Sequence, residues 1–227
     1  MVIGKRPSGE IIGISFHAIG LPTADLTAAE RPYAVTRDTF LLLLDEFAAH
    51  PEVELSFDDG FASDVETALP ALTERGLSAT FFPVAARLGR PGFVDLAGLR
   101  ALNTAGMTIG LHGMRHRSWR GLDPEAEREE LVLARSLIAE AASADVTSVS
   151  CPFGSYDRKV LRTLREYGYQ RVFTSDRRRA RAGAWLQPRY AMMAHDTVRT
   201  VRDHVLTARP LHERTRRAAT SKVKAWR

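Results

Sequence analysis

A single cysteine, Cys151, is the only thiol in the chain. No disulfide can form within it and no thiolate cluster can hold zinc, so any metal must be gripped by histidine and carboxylate. Long apolar runs are missing as well. Met1 to Gly20 carries Lys5 and Arg6 but no extended hydrophobic core, Ile11 to Leu21 is interrupted by Ser15 and His17, and no later stretch reaches membrane-spanning length. Neither a signal peptide nor a transmembrane helix is expected, which makes a cytoplasmic protein the default, or an extracytoplasmic one if a leader has been removed. The third scarcity is of positive charge in the body of the chain. The net charge is +5, yet Arg209 to Arg227 alone sets seven Lys/Arg against one acid, Glu213, leaving the remainder close to neutral. A near-neutral body gives no footprint for nucleic acid. The tail reads as a solvated end, with Trp226 allowing weak contact with an anionic membrane surface.

What is present suits one globular α/β domain: 227 residues, 44% of them hydrophobic. Three segments repeat one design, Leu72-Thr-Glu-Arg-Gly76, Leu102-Asn-Thr-Ala-Gly106 and Leu164-Arg-Glu-Tyr-Gly168. Each places a glycine where a helix ends in a left-handed turn, just ahead of an apolar run. The spacing predicts strands over Ile11–His17, Val53–Phe57, Ala79–Val84, Met107–Leu111, Val146–Cys151 and Gln170–Thr174. Between and after them come helices over Ser63–Arg75, Val94–Asn103, a long one opening at Asp123-Pro124, Arg158–Tyr167 and Val198–Leu206. Asp123 is a good N-cap, and Pro124 fits the first helical position. Alternating strands and helices imply a parallel sheet, and about six units suggest a barrel smaller than the usual eight. The expected organisation is an N-terminal extension 1–10, a barrel domain 11–206 and a basic tail 207–227.

The chemistry gathers after the strands. Asp58-Asp59-Gly60, His112 and Pro152-Phe153-Gly154 each follow one immediately, and in a parallel barrel those ends share a face. Asp-Asp-Gly alone also suits a strand-terminating turn, and either histidine of His112-Gly-Met-Arg-His116 alone suits a loop. Together they supply two imidazoles and a carboxylate for a divalent metal, with one carboxylate left to take a proton from water. Such a ligand set leaves positions open for water and substrate, as catalytic zinc requires. The same set serves non-haem iron, but the spare carboxylate favours hydrolysis.

Leu55-Ser-Phe-Asp-Asp-Gly60, His112-x-x-x-His116, Cys151-Pro-Phe-Gly154 and Ala79-Thr-Phe-Phe-Pro83, in this order, resemble the motifs of the polysaccharide deacetylase superfamily, over roughly residues 11 to 200. The resemblance implies a distorted barrel of about seven β/α units and hydrolysis of acetyl groups, most simply N-acetyl, from a sugar, oligosaccharide or polysaccharide. It implies Asp58 as general base and Asp59, His112 and His116 as metal ligands. Zinc is the expected metal, with cobalt or nickel as alternatives. The Phe153 backbone N–H becomes an oxyanion donor, and Pro152, Phe153, Gly154 and Tyr156 line the substrate site. His195, in Met193-Ala-His195, approximates the family's late histidine and is the candidate general acid. His17, at the end of the first strand, is a candidate supporting residue.

Several departures bear on activity. Ser150 stands where many members have the arginine that orients the base, so Arg189 or Arg115 would have to supply it from elsewhere. The family's Asp-Trp motif is not evident after Thr174-Ser-Asp176. Two other readings stay open: a related amidohydrolase acting on a cyclic imide or small amide, and a glycan-binding homologue of little or no catalytic power. Trp119 and Trp185 serve equally as sugar platforms or packing anchors. The Arg177–Arg181 run is a solvated loop or a site for an anionic group, and Cys151 reads as a small buried side chain.

Overall fold

The computed structural model describes residues 9–20, 26–207 and 223. Nearly all of the extension 1–10 and of the tail 207–227, Trp226 included, lies outside them. Among the described residues no helix is long and apolar enough to cross a membrane.

The described residues form eight strands: β1 Glu10–Phe16, β2 Val53–Asp59, β3 Ala79–Pro83, β4 Thr108–Ile109, β5 Ser148–Ser150, β6 Arg171–Thr174, β7 Ala180–Arg181 and β8 Leu186–Ala191. The principal helices are α1 Arg37–Ala48, α2 over 64–74, α3 Leu96–Thr104, α4 over 124–142, α5 Arg158–Glu166 and α6 over 198–206. The Leu-x-x-x-Gly segments end α2, α3 and α5. Gly76, Gly106 and Gly168 have φ of 63°, 80° and 75°. The next N–H bonds back to the leucine carbonyl in each case: Leu77 to Leu72, Met107 to Leu102, Tyr169 to Leu164.

Seven strands run in the order β4-β3-β2-β1-β8-β6-β5. Every adjacent pair along that path is parallel, while β7 lies antiparallel on the start of β1. The two ends of the path meet through Leu111, which bridges Val149 and bonds Ser148 and Ser150 through its own N–H and carbonyl. The result is a nearly closed, distorted (β/α)7 barrel in one domain, as the motifs implied. Three elements were not expected, α1, β7 and β8. Two predicted strands are shorter than read by three residues each: Met107–Leu111 contracts to β4 plus the Leu111 bridge, and Val146–Cys151 to β5.

Register decides which residues face the barrel interior. Ser15 aligns with Ser56 and Ala191, Asp58 with Phe82, and Ser150 with Phe173. The opposite parity, including Ile14, Phe16, Leu55, Phe57, Phe81 and Ile109, belongs to the main apolar core. Phe57 and Phe81 stack at 4.7 Å, and Phe16 packs edge-on to Phe40 of α1 at 5.1 Å. The interior is filled differently from the usual aliphatic layers. Arg189 of β8 lies there, its guanidinium 5.4 Å from the ring centres of both Phe82 and Phe173. Gly13 opposite leaves it room, since a Cβ there would fall 2.8 Å from Arg189 Cγ.

Candidate active site

Because the strands are parallel, their C-terminal ends deliver His17, Asp58, Asp59, His112 and the Pro152–Gly154 turn to one face. Three non-glycine residues there, Asp59, His116 and Phe153, have left-handed φ of 76°, 52° and 58°. Each such conformation costs about 1–3 kcal/mol and persists where its surroundings enforce it, commonly at functional sites.

Asp58 and Asp59, adjacent in sequence, meet opposite environments. Asp58 is clamped by Arg189, whose Nη1 donates to Oδ1 at 2.8 Å and Nη2 to Oδ2 at 2.7 Å. The same guanidinium donates to Ser56 Oγ at 2.8 Å and Ser150 Oγ at 2.7 Å. Burial works against a charge on Asp58, yet the guanidinium overrides it and holds the carboxyl well below its ordinary 3.8. Asp58 is therefore fixed and ionised. Of the two arginines considered as substitutes for the one missing at position 150, Arg189 makes the contact. Arg115 instead reaches outward to Glu129 at 2.7 Å.

Asp59 has no such clamp. Both of its carboxylate oxygens are buried without a hydrogen bond. Around Oδ1 stand His116 Nε2 at 3.2 Å, Arg87 Nη1 at 3.3 Å and His112 Nε2 at 3.8 Å. Burial pushes Asp59 up to about 6. It pushes His112 down to about 3 and His116 down to about 4, so both imidazoles are neutral at ordinary pH. His112 Nδ1 donates to the Ser150 carbonyl at 2.8 Å, which can only accept, so Nε2 keeps its lone pair. One ligand atom from each of Asp59, His112 and His116 lies within 4.8 Å of the other two. A buried carboxylate with unmet acceptors beside two neutral, oriented imidazoles fits a divalent cation.

The other expected residues are placed as follows. Phe153 is 62% exposed, with its ring 4.5 Å from that of His116, in a turn where Gly154 N–H bonds the Cys151 carbonyl. Tyr156 is buried and donates its hydroxyl to Asp176 at 2.7 Å. His17 packs on Tyr33 at 4.9 Å and has a buried Nδ1 without a hydrogen bond. His195 is exposed on the turn after β8. Trp119 and Trp185 are packing anchors: Trp119 is buried against Glu130, and Trp185 lies beneath the Arg165 guanidinium at 4.2 Å. Cys151 is buried, as read.

Three residues were missed. Arg87, after β3, joins Asp59 to Glu30, which it contacts at 2.6 Å. Asp64, buried at the start of α2, is raised well above the carboxylate range by burial and by the two aspartates. Glu130 is wholly buried beneath the histidine loop. Single charged residues in a loop or on a helix carry no spacing signal that sets them apart from solvated ones.

The polysaccharide deacetylase family profile matches residues 48–172. The chain belongs to the polysaccharide deacetylase family. Its matched span includes Asp58, Asp59, His112, His116 and the Pro152–Gly154 turn, while β1 and β8 lie outside it. YxkH of Bacillus subtilis strain 168, named as a candidate polysaccharide deacetylase, is 25% identical over 138 residues, 61% of this chain and 50% of its own. SCO4760 of Streptomyces coelicolor, an uncharacterised protein, is 30% identical over 118 residues, 52% of this chain and 45% of its own. The chain thus spans about half the length of these curated relatives. The fold matches that of the Streptococcus pyogenes deacetylase PplD, at TM-score 0.73 and 17% identity over 86% of this chain and 98% of that one. It also matches a de-N-acetylase from Aggregatibacter actinomycetemcomitans, at TM-score 0.72 and 14% identity over 86% and 99%. Family members are hydrolases of amide or ester bonds.

Proposed function

We propose that the protein is a metal-dependent deacetylase that hydrolyses N-acetyl groups on a sugar, oligosaccharide or polysaccharide, with zinc as its metal. One observation carries the reading: Asp59, His112 and His116 converge with unmet donor capacity beside an ionised Asp58 held by Arg189. A divalent metal held by those three residues would supply Lewis acidity to the acetyl carbonyl and to water. Asp58 takes the proton that water must lose as it bonds to the carbonyl carbon. A carboxylate of such low pKa is a weak base but is always ready, and Arg189 fixes its orientation. The Phe153 N–H donates to the oxygen that becomes negative as the carbonyl turns tetrahedral. Collapse then expels the amine, which needs a proton. His17, at the end of β1 with a buried, unbonded Nδ1, is the candidate donor that geometry favours, whereas His195 stands exposed.

Acetate release from N-acetylglucosamine oligomers tests this directly. Stripping metal with a chelator should abolish release, and about one equivalent of zinc, cobalt or nickel per chain should restore it. Release unchanged after metal removal, or ring opening of cyclic imides without acetate release, would contradict the proposal.

A further inference from the structure

The backbone between His112 and His116 is not a self-supporting turn. Gly113 and His116 both lie at left-handed φ, 83° and 52°. On one side the loop is tied by its carbonyls: Gly113 O accepts from Ala85 N–H and Met114 O from Ala86 N–H, each at 3.0 Å. On the other side its N–H groups converge on one carboxylate. Met114 N–H donates to Glu130 Oε2 at 2.8 Å and Arg115 N–H to Oε1 at 3.2 Å, with Trp119 Nε1 adding a third bond at 3.3 Å. Arg117 Nε lies further off at 3.7 Å, on a half-exposed side chain. Successive N–H groups that curl round an anion in this way form a nest, and here the anion is the protein's own.

Three features set Glu130 apart from an ordinary surface glutamate. Its side chain is fully buried, where a carboxylate is tolerated only when its acceptors are satisfied. It approaches Gly113 so closely that a Cβ there would fall 2.4 Å from Oε2. It also lies in the π-helical turn Glu129–Leu133, the one irregular turn of α4. Single π-turns within α-helices are frequent at functional sites.

We propose that Glu130 is the positioning residue of the metal centre: its carboxylate holds the 113–116 backbone so that His116 meets Asp59 and His112. This rests on the metal reading above. Glu130 touches neither metal nor substrate and acts only through the loop.

The test measures zinc affinity of the full chain by competition with a chromophoric chelator, together with the visible spectrum of the cobalt form. Glu130→Gln keeps the shape but presents one acceptor and an amide N–H₂ to donors that need two acceptors. It should weaken zinc binding about 10- to 100-fold and alter the cobalt spectrum, the usual effect of losing a partner that orients ligands. Ile138→Val, in the same helix and buried but remote from the loop, controls for stability. It should bind zinc as the parent does, even with a comparable fall in melting temperature. If Glu130→Gln does not fold, Glu130→Asp keeps the charge, shortens the reach and should show the same loss. Parent-like affinity and spectrum in the folded Glu130 variant would overturn the inference alone. So would affinity losses that track melting temperature equally in the Glu130 and Ile138 variants. A parent that binds neither ion would overturn the metal reading and this inference with it.

Discussion

Replacing Asp58 by asparagine will stop acetate release while leaving metal binding intact. The substitution preserves volume and an oxygen that can still accept from Arg189, but it removes the carboxylate proposed to receive the proton of attacking water. General-base contributions are commonly about 10²- to 10⁴-fold, and a loss of that size in kcat is expected. Asp59, His112 and His116 are untouched, so zinc affinity should stay within a few-fold of the parent. The variant will also be less stable, because Arg189 keeps its charge in a buried site while its partner becomes neutral. The assay therefore belongs at a temperature where circular dichroism shows both proteins folded. Parent-like turnover in Asp58→Asn would remove the base from the account.

Arg189→Met should be the most destabilising single change in the barrel interior. It leaves a buried Asp58 carboxylate without its bidentate partner and two serine hydroxyls without their donor. Breaking a buried pair from one side costs about 3–5 kcal/mol, whereas replacing both members together is far milder, so Arg189→Met with Asp58→Asn should recover part of the loss. The pH dependence gives a sharper sign. In the parent, the folded pKa of Asp58 lies below its ordinary 3.8, so its contribution is present above that value and is lost on acidification. Without Arg189, burial loses its main opponent and raises the pKa, so the ionised form becomes destabilising as pH rises. The stability gap between parent and variant, read by urea unfolding, should therefore widen from about pH 3 to about pH 6. A gap that is flat or narrows would mean that Arg189 does not control Asp58.

What the sequence disclosed and what it hid follow from how each feature is encoded. Helix ends were legible because a left-handed turn strongly favours glycine, and the three Leu-x-x-x-Gly segments each gave one boundary of a strand. The candidate ligands Asp59, His112 and His116 were legible because a metal needs several donors and each of the two motifs that carry them closes a strand-like run. Strand β8 stayed hidden because it has no apolar alternation: Pro188 reads as a breaker, and Arg189, weighed only as a partner for Asp58, gives no sign of the strand that points it into the barrel. Its partner is 131 residues away, a separation no local pattern encodes. Helix α1 was missed because Leu41 to Leu44 is a continuous apolar run without helical period. Its one local cue is Thr36, whose hydroxyl accepts from Thr39 N–H. Glu130 was hidden for a related reason. A glutamate in a helix full of glutamates looks solvated until the loop it supports is seen folded over it.

The claim on which the rest depends is that Asp59, His112 and His116 grip one metal ion, and X-ray absorption at the zinc edge of the zinc-loaded full chain tests it most directly. The expected shell has two imidazole nitrogens at about 2.0–2.1 Å and a carboxylate oxygen at about 2.0–2.2 Å. One of those imidazoles should disappear in His112→Ala. A shell without imidazole scattering, or one that His112→Ala leaves unchanged, would contradict it.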